Sequence, residues 1–121
     1  MADSVLGTKS KEFAKDIVFL YRKLKQNGVE SALINQLLRS GTSVGANVHE
    51  AQYAQGTKDF ISKFEIALKE CNESEYWLEL LFETNSLTEA EFKKFQSKCI
   101  EIRRMLVSSV TTLKKDQINH V

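Results

Sequence analysis

The 121-residue chain contains no proline. Proline removes a backbone donor and its ring clashes with the preceding turn, so a chain without it can run long helices uninterrupted. Only five glycines punctuate the sequence. At 42% hydrophobic residues and this length, one domain with a real core is expected, and two are not.

The apolar period then divides the chain into four helices, about 9–27, 31–55, 57–85 and 88–115. Helix 1 carries Phe13, Ile17, Leu20 and Leu24 on one stripe, closed by Asn27-Gly28. Helix 2 carries Ile34, Leu37, Gly41, Val44, Val48 and Ala51 and is expected to end at Gln55-Gly56. Helix 3 repeats Ile61, Phe64, Leu68, Cys71, Glu75, Leu78 and Phe82, with Glu75 as a polar intruder on the seam. Helix 4 opens on a capping box, Thr88 with Glu91, that Leu87 and Phe92 are placed to staple. It continues through Phe95, Cys99, Ile102, Leu106, Val110 and Leu113, and fraying is expected from Lys115 onward. Short connections make neighbours antiparallel, so the expected fold is an all-α, up-down-up-down four-helix bundle in a single domain, 1–121.

A second apolar face points to self-association. With the helix 3 stripe centred as above, Ile66, Trp77 and Leu80 lie roughly 150° or more away from it, flanked by Tyr76 and Leu81. Val18 and Phe19 lie about 130° from the core direction of helix 1. The outer face of helix 2 runs Arg39, Ser43, Ala46, Glu50 and Tyr53, small enough for a neighbouring helix to approach and with Arg39 and Glu50 as charged anchors. Singly exposed apolar residues are ordinary; a stripe containing Trp and Leu is not. Unlike faces in contact would close into a ring, while a two-fold dimer is the alternative.

Charge is distributed unevenly behind a net of +1. Lys11, Lys15, Arg22 and Lys25 form a basic stripe on helix 1, and helix 4 adds Lys93, Lys94, Arg103 and Arg104. These are the candidate nucleic-acid contacts; the opposing reading is a solvated face or a match for an acidic neighbour. Helix 3 is acidic, through Glu65, Glu70, Glu73, Glu79 and Glu83.

Catalytic and metal chemistry find little to work with. Di-metal bundles use Glu-x-x-His on two helices. Here the histidines are His49 and His120, and neither follows a glutamate by three positions. Gly41-Thr-Ser-Val-Gly45 lacks the Lys-Ser/Thr of a phosphate loop and reads better as close helix packing. Cys71 and Cys99 sit at core positions and read as small hydrophobes. Glu75 is either a register-setting polar contact or a catalytic acid, its partner open. No metal, no cofactor and no enzymatic activity are expected. The first residues lack the basic start and apolar run of a signal peptide, and no segment approaches a membrane span, so a cytoplasmic protein without a membrane partner is expected.

Two blocks carry a family resemblance. The stretch from Gln36 to Gln52, QLLRSGTSVGANVHEAQ, and the stretch from Asp59 to Leu78, DFISKFEIALKECNESEYWL, resemble the proteins named after the 23S ribosomal RNA intervening sequence, in order and spacing. The resemblance extends over about 9–115, and the chain is more distantly similar to the accessory protein of diversity-generating retroelements. It implies a bundle that assembles into a homopentameric ring, with self as its first partner. The retroelement relative implies a basic surface that meets nucleic acid and a protein partner, whereas this chain is nearly neutral. Arg39, Ser43, Asn47 and Glu50 match the first motif, and Glu70, Glu73, Tyr76, Trp77 and Leu78 the second. The expected function is a non-enzymatic oligomeric scaffold or adaptor, binding RNA or a ribonucleoprotein weakly through helices 1 and 4; the alternative is a pure protein–protein assembly module.

Overall fold

Four α-helices follow one another along the chain: α1 Ala2–Gln26, α2 Ser31–Ala51, α3 Thr57–Glu83 and α4 Glu89–Asn119. The computed structural model describes residues 2–119, with side chains from Val5 to Asn119.

Local chemistry sets the ends of these helices. After α1, Gly28 takes a left-handed conformation at φ 79°, and the Gly28 and Val29 amides return to the carbonyls of Lys25 and Leu24. This is a Schellman closure, and Val29 packs against the core as the motif requires. Asn85 does the same after α3 at φ 65°, with Ser86 N–H donating to Leu81 O at 2.8 Å. At the start of α4 the capping box is complete: Thr88 N–H donates to Glu91 Oε1 at 2.9 Å, and Glu91 N–H to Thr88 Oγ1 at 3.1 Å. Thr88→Ala removes half of that reciprocal pair and should destabilise the protein by about 1 kcal/mol, read as a lower midpoint in urea at unchanged slope.

Cross-helix pairs fix the topology. From α1 to α2, a Cβ added at Gly45 would meet Ser10 O, one at Gly41 would meet the side chain of Ile17, and Tyr21 Oη donates to Asn35. Numbers rise on one helix as they fall on the other. The same holds between α3 and α4, where Glu65 pairs with Lys114, Glu75 with Arg103, and Phe82 stacks on Phe92. It holds again between α1 and α4, through Lys9–Glu101, Asp16–Lys98 and Lys23–Glu91. The Ser40–Ser74 contact and the short connection 52–56 join α2 to α3. The helices therefore run up, down, up and down around one core in which Phe13, Ile17, Ile34, Leu37, Phe64 and Leu78 are fully buried.

Several expectations need correction. α1 begins at Ala2, not near Lys9, because its stripe continues backward through Leu6; Ser10, wholly buried with its hydroxyl on Gly7 O, hid that continuity. α2 stops at Ala51, short of Gln55-Gly56. There the amides of Gln52, Tyr53 and Ala54 tighten to three-residue bonds, and Asp59 then accepts from the Gln55 amide. α4 does not fray at Lys115 but continues to Asn119, since nothing in Lys115–Asn119 breaks a helix.

The largest correction concerns α3. Its buried face reads Ile61, Phe64, Ala67, Cys71, Ser74, Leu78 and Leu81, so Ser74 takes the seam position expected for Glu75. The core direction rotates with it. Leu81, expected on the outer flank, is completely buried, while Phe82 moves to the boundary and stacks on Phe92 at 4.7 Å. Trp77 swings to the side facing α2 and packs against the core.

Candidate interaction surfaces

The α2–α3 seam carries a polar network built from residues one to four positions apart on each helix. Arg39 on α2 reaches across to α3, its Nη1 donating to Glu70 Oε2 at 2.8 Å and its Nη2 to Glu73 Oε1 at 2.5 Å. Behind this fork, Ser74 Oγ donates to Ser40 Oγ at 2.9 Å, and Ser40 Oγ in turn to Leu37 O. Both serines are wholly buried, so this hydroxyl pair satisfies itself within the core. The guanidinium itself is half exposed, with Glu70 nearly covered beneath it. Arg39, expected to anchor a neighbouring subunit, is thus already held by two carboxylates of its own chain. The indole N–H of Trp77 is buried without a hydrogen-bond partner among the described residues, near the Glu73 carboxylate but short of bonding geometry.

The hydrogen bond from Arg39 holds the Glu73 carboxyl below its ordinary 4.5, and Lys23 does the same for Glu91 between α1 and α4. A carboxylate whose folded pKa is depressed contributes stability that is full above its unfolded pKa and is lost as pH falls through the folded value. Thermal melts should therefore be flat from neutrality down to about pH 4.5 and then fall. The Arg39→Leu variant should be less stable at pH 7 by about 1–2 kcal/mol and show a shallower acid limb.

The residues expected at an oligomer interface are spread over α1, α2 and α3. Phe19 is 62% exposed, Tyr53 75% and Ile66 40%. Ala46 and Glu50 are also exposed; Val18, Ser43, Glu73, Trp77 and Leu80 are half buried. Ser43 turns its hydroxyl back to Arg39 O at 2.7 Å. Ile66, Trp77 and Leu80 do not form one outward stripe, because the rotated core of α3 draws Trp77 inward. Tyr76, named only as a flanking residue, is instead the aromatic that α3 presents outward, at 57% exposure. Between α1 and α2 the small residues Ala14, Gly45 and Ala46 leave a trough of about 530 Å³ edged by Lys11 and His49.

The basic residues do not merge into one patch. Lys11, Lys15, Arg22 and Lys25 stand exposed on α1, with Arg22 over the Phe19 ring and Lys25 over Tyr21. On α4, Lys93 pairs with Glu89 one turn back, and Lys94 lies over Phe95. Arg103 donates to Glu75 Oε1 at 2.6 Å and to Asn72, which supplies the partner that the sequence left open for Glu75. Arg104 is exposed and edges an apolar groove. The α1–α4 seam alternates in sign, its Lys9, Lys23 and Lys98 matched by Glu101, Glu91 and Asp16.

Cys71 and Cys99 face each other in the core, and the Cys71 thiol donates to Cys99 O at 3.4 Å. The Cys71 thiol beside it, together with burial, pushes Cys99 up, so it resists ionisation. His49 is exposed against Tyr53, and His120 lies outside the described residues. Among the described residues no group of three or more His, Cys, Asp or Glu could hold a metal ion, and no helix is long and apolar enough to cross a membrane.

The family of 23S rRNA-intervening sequence proteins matches residues 3–108. The chain belongs to that family. Its fold is similar to the crystal structure of a protein of unknown function from the S23 ribosomal protein family of Bacteroides thetaiotaomicron. The two are 47% identical, with a TM-score of 0.89 over 92% of this chain and 99% of that one. No curated protein matches the chain. The two blocks that carried the resemblance fall on α2 with the residue after it and wholly within α3, so the arginine–carboxylate fork, the serine pair and Trp77 all lie within them.

Proposed function

We propose that this intervening-sequence protein is a non-enzymatic, cytoplasmic, self-assembling scaffold or adaptor. It forms a homopentameric ring whose α1 and α4 surfaces meet RNA or a ribonucleoprotein. The observation that carries the assembly is the set of aromatic and apolar side chains left in water: Phe19, Tyr53, Ile66 and Tyr76 are each at least 40% exposed. Apolar surface rimmed by charge is characteristic of an interaction site. The small-residue trough between α1 and α2 supports the reading, being shaped for close helix approach. The number five rests on the family resemblance. RNA contact is supported by the Lys11, Lys15, Arg22 and Lys25 stripe, which makes no ion pair among the described residues and would be repeated around a ring.

Light scattering at micromolar concentration should give a mass near five times 13.8 kDa. A Tyr76→Glu variant should give a smaller species of unchanged helicity. A monomeric parent protein sinks the assembly reading. For RNA, log affinity should fall linearly with log salt, with a slope of about −0.7 per neutralised phosphate on single strands. An assembled protein that binds no RNA at low salt leaves the pure protein–protein module, which the engagement of Lys93 and Arg103 by acids of the same chain favours.

A further inference from the structure

α1 starts at residue 2 and pairs Lys9 with Glu101, whereas α4 continues to Asn119. The last turns of α4 therefore pass beyond Ala2, and among the described residues α1 does not cover them. The α2–α3 connection does not fill the space. A groove of about 1030 Å³ results, floored by Leu6, Phe60, Phe64, Met105 and Leu113. Ser108, Ser109 and Thr112 give it one hydroxyl edge, and among the described residues Arg104 is the one charged residue in its lining. Ligand sites between the helices of bundles have this makeup, about 300–1,000 Å³ of mostly apolar wall with a few convergent polar groups.

We propose that this groove binds a free amphiphile, an unbranched acyl chain of the fatty-acid class. Its carboxylate meets Arg104 and the neighbouring hydroxyls, and its tail lies along Phe60, Phe64 and Met105. The charge argument chooses the occupant. Among the described residues, an apolar trough with one exposed, unpaired guanidinium and no carboxylate in its lining complements a single anionic head on a long apolar body. A peptide helix would expect charges of both signs along its length. The site shares Arg104 and α4 with the proposed RNA surface but uses none of Phe19, Tyr53, Ile66 and Tyr76, on which the assembly reading rests.

Calorimetric titration with octanoate, decanoate and dodecanoate, each below its micelle-forming concentration, tests the proposal. Affinity should rise about fourfold per added CH₂, the factor expected for burying one methylene. Arg104→Gln should weaken dodecanoate about tenfold and leave dodecanol within about twofold. Thr112→Trp, at an exposed position on the edge of the groove, should abolish binding of both while leaving the thermal midpoint and the assembled mass unchanged. Equal affinity for all three acids, or an Arg104→Gln variant that binds dodecanoate as well as the parent does, overturns the proposal. So does binding to phosphatidylglycerol vesicles without binding to free acid, which makes this a membrane-docking face. A change in assembled mass with Thr112→Trp also overturns it, since the groove is then a contact between copies of this chain.

Discussion

Phe13→Ala should cost about 3–5 kcal/mol, the largest loss expected from any single truncation in the bundle. Phe13 is 1% exposed and meets Phe95 edge to face, with ring centroids 6.4 Å apart. It is the aromatic contact between α1 and α4, a pair that touches far less than the other neighbouring helices do. The void left by truncation has few surrounding atoms free to collapse into it, and the Phe95 ring loses its partner as well. Against a total stability of about 5–15 kcal/mol, the variant should melt some 12–20 °C lower, at about 4 °C per kcal/mol for a chain of this size. A drop of only a few degrees would mean that α1 is held by its charges, contrary to the packing.

Gly41→Leu should be of comparable severity, from the opposite cause. A Cβ at Gly41 would stand 2.9 Å from both γ carbons of Ile17, a completely buried side chain that is stiff at χ1. Alanine there already overpacks. Its better helix propensity, worth about 1 kcal/mol, is set against a clash of about 1–3 kcal/mol, so Gly41→Ala should be mildly destabilising. Leucine has to push α1 from α2 along the whole seam, at a cost of about 3 kcal/mol or more. Equilibrium unfolding in urea checks the order. A Gly41→Ala variant more stable than the parent would show that the helices are not in contact at that level.

The helices were legible because the apolar period of each is strong and its ends carry turn chemistry that acts locally. Asn27-Gly28 and the Thr88–Glu91 box need no tertiary information, and both are formed as read. The failures at the start of α1 and on the face of α3 share one physical origin, buried hydroxyls. Ser10 and Ser74 occupy core positions while looking polar, and a small hydroxyl bonded within its own helix or to a buried partner can take a seam position at little cost. Counting the apolar stripe of helix 1 from Phe13 leaves out Leu6, beyond the buried Ser10, and starts the helix at about residue 9. Placing Glu75 rather than Ser74 on the seam displaces the core of α3 by one residue and puts Trp77 and Leu81 on the wrong side. The charged partners Arg39–Glu70–Glu73 and Glu75–Arg103 were beyond the reach of pattern. Which cation meets which carboxylate depends on the register between helices, fixed by the glycine contacts of Gly41 and Gly45 with α1 and by the serine pair.

The seam between α1 and α4 is stitched by a ladder of three cross-helix charge pairs, at Lys9, Asp16 and Lys23, with the Phe13–Phe95 contact among them. Such partly wet pairs weaken as the Debye length shrinks, from about 10 Å in 0.1 M salt to about 3 Å in 1 M, while apolar seams do not. Ionic strength thus acts most on this joint of the bundle, where three charge pairs meet the sparsest helix contact, and less on the α2–α3 and α3–α4 seams, whose own ion pairs lie over closer packing. Concentrated salt should loosen α1 as a hinged plank, and its amides should exchange with solvent before those of any other helix.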